Sequence, residues 1–228
     1  MKILAVDCAT ISCSVAVWAD GRVLAVERAE LVRGQAEALV PMIERVREAA
    51  GVELAAVDRL AVTVGPGHFT GLRSGLAAAR GLALATGRPL IGITTLAAVA
   101  AGVPATERAD AVVVVVLDSK RAELYVQFFA ADLTPLNVPR ALRPDDIAAE
   151  MAAMPPSPFV IAGDAAASVV AALAGLGTIA ALSTAAARPD AAIVAALAAA
   201  MPLPAALPDP LYVHPVETTA PRARAIRA

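Results

Sequence analysis

The stretch Ile3-Leu4-Ala5-Val6-Asp7-Cys8-Ala9-Thr10, continued by Cys13-Ser14-Val15-Ala16-Val17-Trp18, decides how the rest of the chain is read. Ile3 to Val6 is a short apolar run closed by Asp7, the pattern of a buried strand. Ser14 to Trp18 and Val23 to Glu27 alternate around Asp20-Gly21, a dipeptide suited to a two-residue hairpin turn. The chain therefore opens with three strands. From Gln35 to Ala50 the apolar residues Leu39, Met42, Ile43, Val46 and Ala50 recur at helical spacing, and Gly51 supplies a stop. Pro41 either sets the first turn of that helix near Val40 or bends it, since an interior proline removes a hydrogen bond.

Leu60 to Val64 reads as another buried strand, followed by the glycine-rich segment Gly65 to Gly71. Leu72 to Ala85 is then a helix interrupted only by Arg73 and Arg80, and a helix apolar all round needs cover on two sides. Leu90 to Thr94 gives a strand and Leu96 to Ala101 a short helix before the breaker Gly102-Val103-Pro104. This places a boundary between a first lobe, residues 1–102, and a second lobe with its tail, residues 103–228. The second half restarts with the valine-rich strand Ala111 to Leu117, turns at Asp118-Ser119-Lys120-Arg121 and returns through Leu124 to Phe129. A helix from Pro144 to Met151, a strand from Phe159 to Ala162 ending at Gly163-Asp164, and helices over Ala165 to Ala174 and Ala191 to Met201 complete it. Two halves of similar order suggest an internal duplication without a residue-level repeat.

The 228 residues exceed a usual single core of about 100–150, which allows two lobes. Hydrophobic residues make up 58% but aromatic residues only 3%, so alanine dominates and a helix-rich, closely packed chain is expected. The uncharged stretch from Ala165 to Ala187 is long enough to cross a bilayer. Its larger apolar residues are sparse, and Gly175 and Gly177 interrupt it, so no membrane span is expected. Asp7 ends the first apolar run too early for a secretory leader, which points to the cytoplasm. A net charge of −2 supplies no broad basic field, so any RNA contact requires a basic partner. Cys8 and Cys13 are the only cysteines, and two thiols flanking a turn in a reducing compartment read as buried small residues rather than a disulfide or metal pair.

Asp7 and Thr10 close the first strand, where a carboxylate and a hydroxyl could hold a metal-bound water and a phosphate, or simply form an Asx-turn. Gly65-Pro66-Gly67-His68-Phe69-Thr70-Gly71-Leu72-Arg73 lies between a strand and a helix, where backbone N–H groups could cradle an anion. It lacks the Gly-Lys-Ser/Thr ending of a Walker loop, and its glycines serve equally for close approach of two backbones or two subunits. His68 and His214 are the only histidines and lie far apart, no serine sits in an elbow motif, and no metal or catalytic set is assigned.

The segments Ile3 to Thr10, Cys13 to Trp18 and Gly65 to Gly75 together resemble the TsaB (YeaZ) family. Asp118-Ser119-Lys120-Arg121-Ala122-Glu123-Leu124-Tyr125 and Pro210-Leu211-Tyr212 extend the resemblance, which is densest before Thr95 and thin between Leu133 and Leu207. His68, Lys120 and Val213-His214 depart from the family pattern. The resemblance implies a two-lobed actin-like ATPase fold, a duplicated ribonuclease H-like α/β architecture. It also implies a non-catalytic subunit that pairs with its paralogue TsaD, alongside the ATPase TsaE, in attaching threonylcarbamoyl to adenosine next to the tRNA anticodon. Where the catalytic paralogue carries a His-x-x-x-His metal motif, this chain has Thr95 and Val99.

The resemblance further places the dimerisation face on the helices Gln35 to Ala50 and Thr70 to Thr86, with Gln35, Leu39, Met42, Ile43, Val46, Ser74 and Ala77 as contacts. It implies a homodimer as the form open to the chain alone, tRNA contact only through the complex, and ATP with Mg²⁺ as ligands of the assembled complex. Two other readings are weighed against it. One is an independent enzyme, an ATPase or kinase using Asp7 and Thr10 or a metalloprotease; the other is an RNA-binding module using Arg222, Arg224 and Arg227.

Overall fold

The structure, a computed structural model, describes residues 1–31, 34–184 and 187–214. The arginine-bearing tail therefore lies outside the described residues. The first strands are β1 (Lys2–Asp7), β2 (Ser12–Ala19) and β3 (Arg22–Glu30). Asp20 and Gly21 take φ of 47° and 87° between the last two, the paired positive values that a two-residue hairpin turn requires. Helix α1 (Gln35–Ala50), β4 (Arg59–Gly65), α2 (Phe69–Thr86), β5 (Leu90–Thr94) and α3 (Thr95–Gly102) follow. The second half contains α4 (Ala105–Arg108), β6 (Val112–Asp118), β7 (Leu124–Phe129), β8 (Arg140–Leu142), α5 (Pro144–Ala153), β9 (Phe159–Ala162), α6 (Ala166–Ala172), β10 (Ala180–Leu182) and α7 (Ala191–Ala200). Pro41 sits inside α1 on its exposed side, so the helix begins well before it. No helix among the described residues is long and apolar enough to cross a membrane. The stretch from Ala165 holds α6 and β10 instead.

Two five-stranded sheets form, in the orders β3-β2-β1-β4-β5 and β8-β7-β6-β9-β10. In each, the first three strands are antiparallel and the last two run parallel to the first. The halves are thus the same topology twice, and the chain has the duplicated, two-lobed α/β architecture of the actin-like fold. The echo reaches single residues. Asp7 and Asp118 end the two first strands, and Gly65 (φ 115°) and Gly163 (φ 111°) stand at the ends of the two fourth strands.

Strand alternation divides the core into layers. Leu4 and Val6 face α1 and α2, packing with Leu39, Met42, Ile43, Val46, Leu76 and Ala79. Ile3 and Ala5 face the other way, against Ala191, Val194, Ala195 and Ala198 of α7. In the second sheet Val114 and Val116 meet Ile147, Met151 and Val169 from α5 and α6, while Val113, Val115 and Leu117 meet Leu96, Val99 and Ala100 of α3. The closing helix α7 thus covers the sheet of the first half, while α3 packs between both sheets, Ala98 against the first and Leu96, Val99 and Ala100 against the second.

Candidate functional site

The ends of β1 and β4 lie toward the ends of β6 and β9, near enough for Lys120, Asp164 and Asp118 to act on His68. Asp7, at the end of β1, is fully buried. Its Oδ1 accepts from Thr63 Oγ1 at 2.6 Å and from Ala9 N at 3.1 Å, and its Oδ2 has no partner among the described residues. Burial pushes the carboxyl from 3.8 up to about 7, against the two hydrogen bonds, with a further small push from Asp190. Thr10 Oγ1 is shared with Ser12, through its hydroxyl at 2.8 Å and its backbone N–H at 3.2 Å, and the Thr10 carbonyl accepts from Gln35 Nε2 at 2.6 Å.

The glycine-rich loop is filled by the chain itself. His68 N donates to the Ala9 carbonyl at 2.7 Å. A Cβ on Gly67 would lie 2.1 Å from the Ala9 carbonyl oxygen, and one on Gly71 2.1 Å from that of Cys8. These glycines are needed because the β1–β2 turn presses into the loop, which favours the close-approach reading over an anion cradle. Pro66 continues the loop from Gly65, and Thr70 and Arg73 are exposed on the first turns of α2.

The second lobe supplies the opposite wall. Asp118 N donates to Asp164 Oδ1 at 2.9 Å, and Lys120 Nζ bonds Asp118 Oδ2 at 2.6 Å. Burial pushes Asp118 up, but the Lys120 contacts outweigh it and hold the carboxyl below its ordinary range. Asp164 is raised by burial, and His68 is lowered by burial and then by Lys120 across the cleft. Asp118 and Lys120 entered the sequence reading as a turn and as family residues, not as site residues; the signal available was Asp118 ending its strand as Asp7 does. Arg28 pairs with Asp190 and Arg188 with Glu30, each at 2.5 Å, joining β3 to the segment that enters α7.

The actin-like fold commonly holds a nucleotide and Mg²⁺ in such a cleft, and the residues here do not fit them. The N–H groups of Ala9 and His68 are spent on Asp7 and Ala9, the loop glycines are filled by carbonyls, and Lys120 is held on Asp118. Among the described residues no group of three or more His, Cys, Asp or Glu could hold a metal ion. Thr95 and Val99 are both buried on α3, Val99 against the second sheet.

The expected partner contacts separate into two sets. Leu39, Met42, Ile43 and Val46 are a correction: they are 1–3% exposed and line the first lobe's own core, because the apolar stripe of α1 turns onto the sheet beneath it. Gln35 is half-buried and holds the β1–β2 turn. Ser74 is half-buried, and Ala77 is exposed on α2 with Gly81 and Leu84, the last 88% exposed. Val40 of α1 is 57% exposed, next to Pro41. One flank of α2 is covered by the segment from Pro208 to His214. There Leu211 N donates to the Val64 carbonyl at 2.7 Å, Arg80 holds the Pro208 carbonyl and Asp209, and Arg73 Nε donates to Tyr212 Oη while its guanidinium lies 3.6 Å over the Phe69 ring. His214 then packs at a tilt of 52° against Tyr125 of β7, 5.4 Å between ring centres.

The model of the family described as "TsaD: tRNA N6-adenosine threonylcarbamoyltransferase" matches residues 29–206. The chain is 40% identical over 126 residues, 55% of its length, to the Escherichia coli tRNA threonylcarbamoyladenosine biosynthesis protein TsaB, covering 53% of that protein. It is 48% identical over 64 residues, 28% of its length, to the tRNA N6-adenosine threonylcarbamoyltransferase of Erythrobacter litoralis, covering 19% of that protein. The matches thus span about half the length of the TsaB relative and less of the transferase. A crystal structure from Pseudomonas aeruginosa, described as an uncharacterized protein with similarity to peptidase YEAZ, superposes with a TM-score of 0.78 at 28% identity, over 93% of this chain and 99% of that one.

Proposed function

From the premise that this chain belongs to the family described as TsaD, tRNA N6-adenosine threonylcarbamoyltransferase, and stands there with the TsaB (YeaZ) proteins, we propose that it is a non-catalytic subunit of the machinery for tRNA threonylcarbamoyladenosine biosynthesis. Its task in this reading is to bind and position a catalytic TsaD paralogue. The observation that supports it is the uncovered face of α1 and α2, where Val40, Ala77, Gly81 and Leu84 stand exposed on two well-anchored helices. Small residues let a partner helix approach closely, and the apolar side chains around them gain by leaving water.

The same face serves a homodimer when the chain is alone, and the TsaD paralogue displaces it. A TsaE-type ATPase completes the assembly, ATP and Mg²⁺ are used by the assembled complex rather than in this chain's cleft, and tRNA is met only through the complex, in the cytoplasm. The test is size-exclusion chromatography with light scattering on the chain alone and mixed with the TsaD paralogue of the same organism. A heterodimer that replaces the free species is expected; absence of association with ATP and Mg²⁺ present overturns the reading.

A further inference from the structure

The β1–β2 pairing ends at Asp7 opposite Ser14, so Cys8 and Cys13 are the next opposed pair beyond it. Both are buried on the core face beneath α2, and their Sγ atoms face each other 2.8 Å apart. Opposed residues of antiparallel strands have Cα separations of about 4.5–5.5 Å, inside the range of about 4.4–6.8 Å that a disulfide bridges. We propose that Cys8 and Cys13 are an oxidisable dithiol, a modification site that a small hydroperoxide converts to an intramolecular disulfide and a thiol reductant reverses.

The step balances as follows. One thiol, as its thiolate, attacks the peroxide O–O bond, becoming a sulfenic acid and releasing water or an alcohol. The second sulfur then attacks the sulfenic sulfur, forming the S–S bond and expelling a second water. Two thiol hydrogens and one peroxide are consumed. The bond to Cys13 and burial both push the Cys8 thiol well above its ordinary range, so the reaction is slow and follows opening of the turn. The site thus accumulates oxidation under sustained peroxide and does not turn over.

The bridge would close the turn Ala9–Ser12, which holds both docking helices at their N-termini. Ala9 accepts from His68, Thr10 accepts from Gln35, and the Cys8 carbonyl abuts Gly71. Oxidation therefore stiffens the seat of α1 and α2.

The experiment treats the folded protein with hydrogen peroxide, then alkylates under denaturing conditions and maps the peptide containing both cysteines. The expected result is loss of both alkylatable thiols, a peptide lighter by two hydrogen atoms, full reversal by dithiothreitol, and a higher melting temperature in the oxidised form. In Cys8→Ser the remaining thiol should take up oxygen only. Two thiols still alkylating in the treated protein, oxygen gain without hydrogen loss, covalent dimers, or a lowered melting temperature in the bridged form would each overturn the proposal. None of these outcomes depends on the partner assignment.

Discussion

The hydroxyl of Thr63 donates to Asp7 Oδ1 at 2.6 Å, tying the end of β4 to the end of β1 while Asp7 Oδ2 stays buried without a partner. An acid held like this keeps its proton to near neutrality, because nothing at Oδ2 compensates the loss of water around a charge.

The sign of the resulting pH dependence follows. Folded Asp7 titrates at about 7 against 3.8 for the free group, so between those values the folded state holds a proton the unfolded state has released. Stability therefore falls as pH rises from about 4 to about 7 and levels above that, by on the order of 4 kcal/mol in all. Asp7→Asn removes this slope. Urea denaturation of both proteins at pH 5 and pH 8 checks it, and parallel pH profiles would show that the carboxyl is ionised throughout.

Leu39→Glu and Leu84→Glu should part company. The first puts a charge into the core under α1 and costs on the order of 4 kcal/mol, seen as loss of a cooperative melt. The second sits on an exposed position, changes stability by no more than about 0.5 kcal/mol, and weakens association with the TsaD paralogue about tenfold or more. Thermal melts and titration of the partner separate the two effects.

Gly67→Ala drives a methyl into the Ala9 carbonyl and should destabilise by about 2 kcal/mol or more. Gly81→Ala, on the helix that follows, meets nothing within 4 Å and should stabilise the free chain by about 0.5–1 kcal/mol. Denaturant midpoints read both; equal shifts would mean that the turn does not press on the loop.

Tyr212→Ala removes the acceptor and ring that clasp Arg73 and should speed proteolytic cleavage between Leu207 and His214 several-fold, with little change in the melt of the lobes. Limited proteolysis followed by mass spectrometry gives the rate and the position.

Long, patterned elements were legible in the sequence. Gln35–Ala50, Leu90–Thr94, Leu124–Phe129 and Phe159–Ala162 have the bounds their periodicity indicates. The edge strand Arg140–Leu142 and the turn of helix at Ala105–Arg108 were not, because three or four residues carry no period. The duplication left no repeat to find, since Asp7 and Gly65 are separated by a longer insertion than Asp118 and Gly163. The stripe of α1 was taken for a partner contact for a physical reason. The apolar stripe of Leu39, Ile43 and Val46 is claimed by the chain's own sheet, and the face proposed above for a partner, small residues around Leu84, has no pattern that hydrophobicity alone would mark.

The seat of α7 on the first sheet sets an order in time. When the first hundred residues leave the ribosome, Ile3, Ala5, Ala61 and Ile91 present a bare apolar surface, and its cover, residues 191–200, follows only after the whole second sheet has been synthesised. The first half must wait, half-dressed, until the second sheet has been made before that surface can be covered.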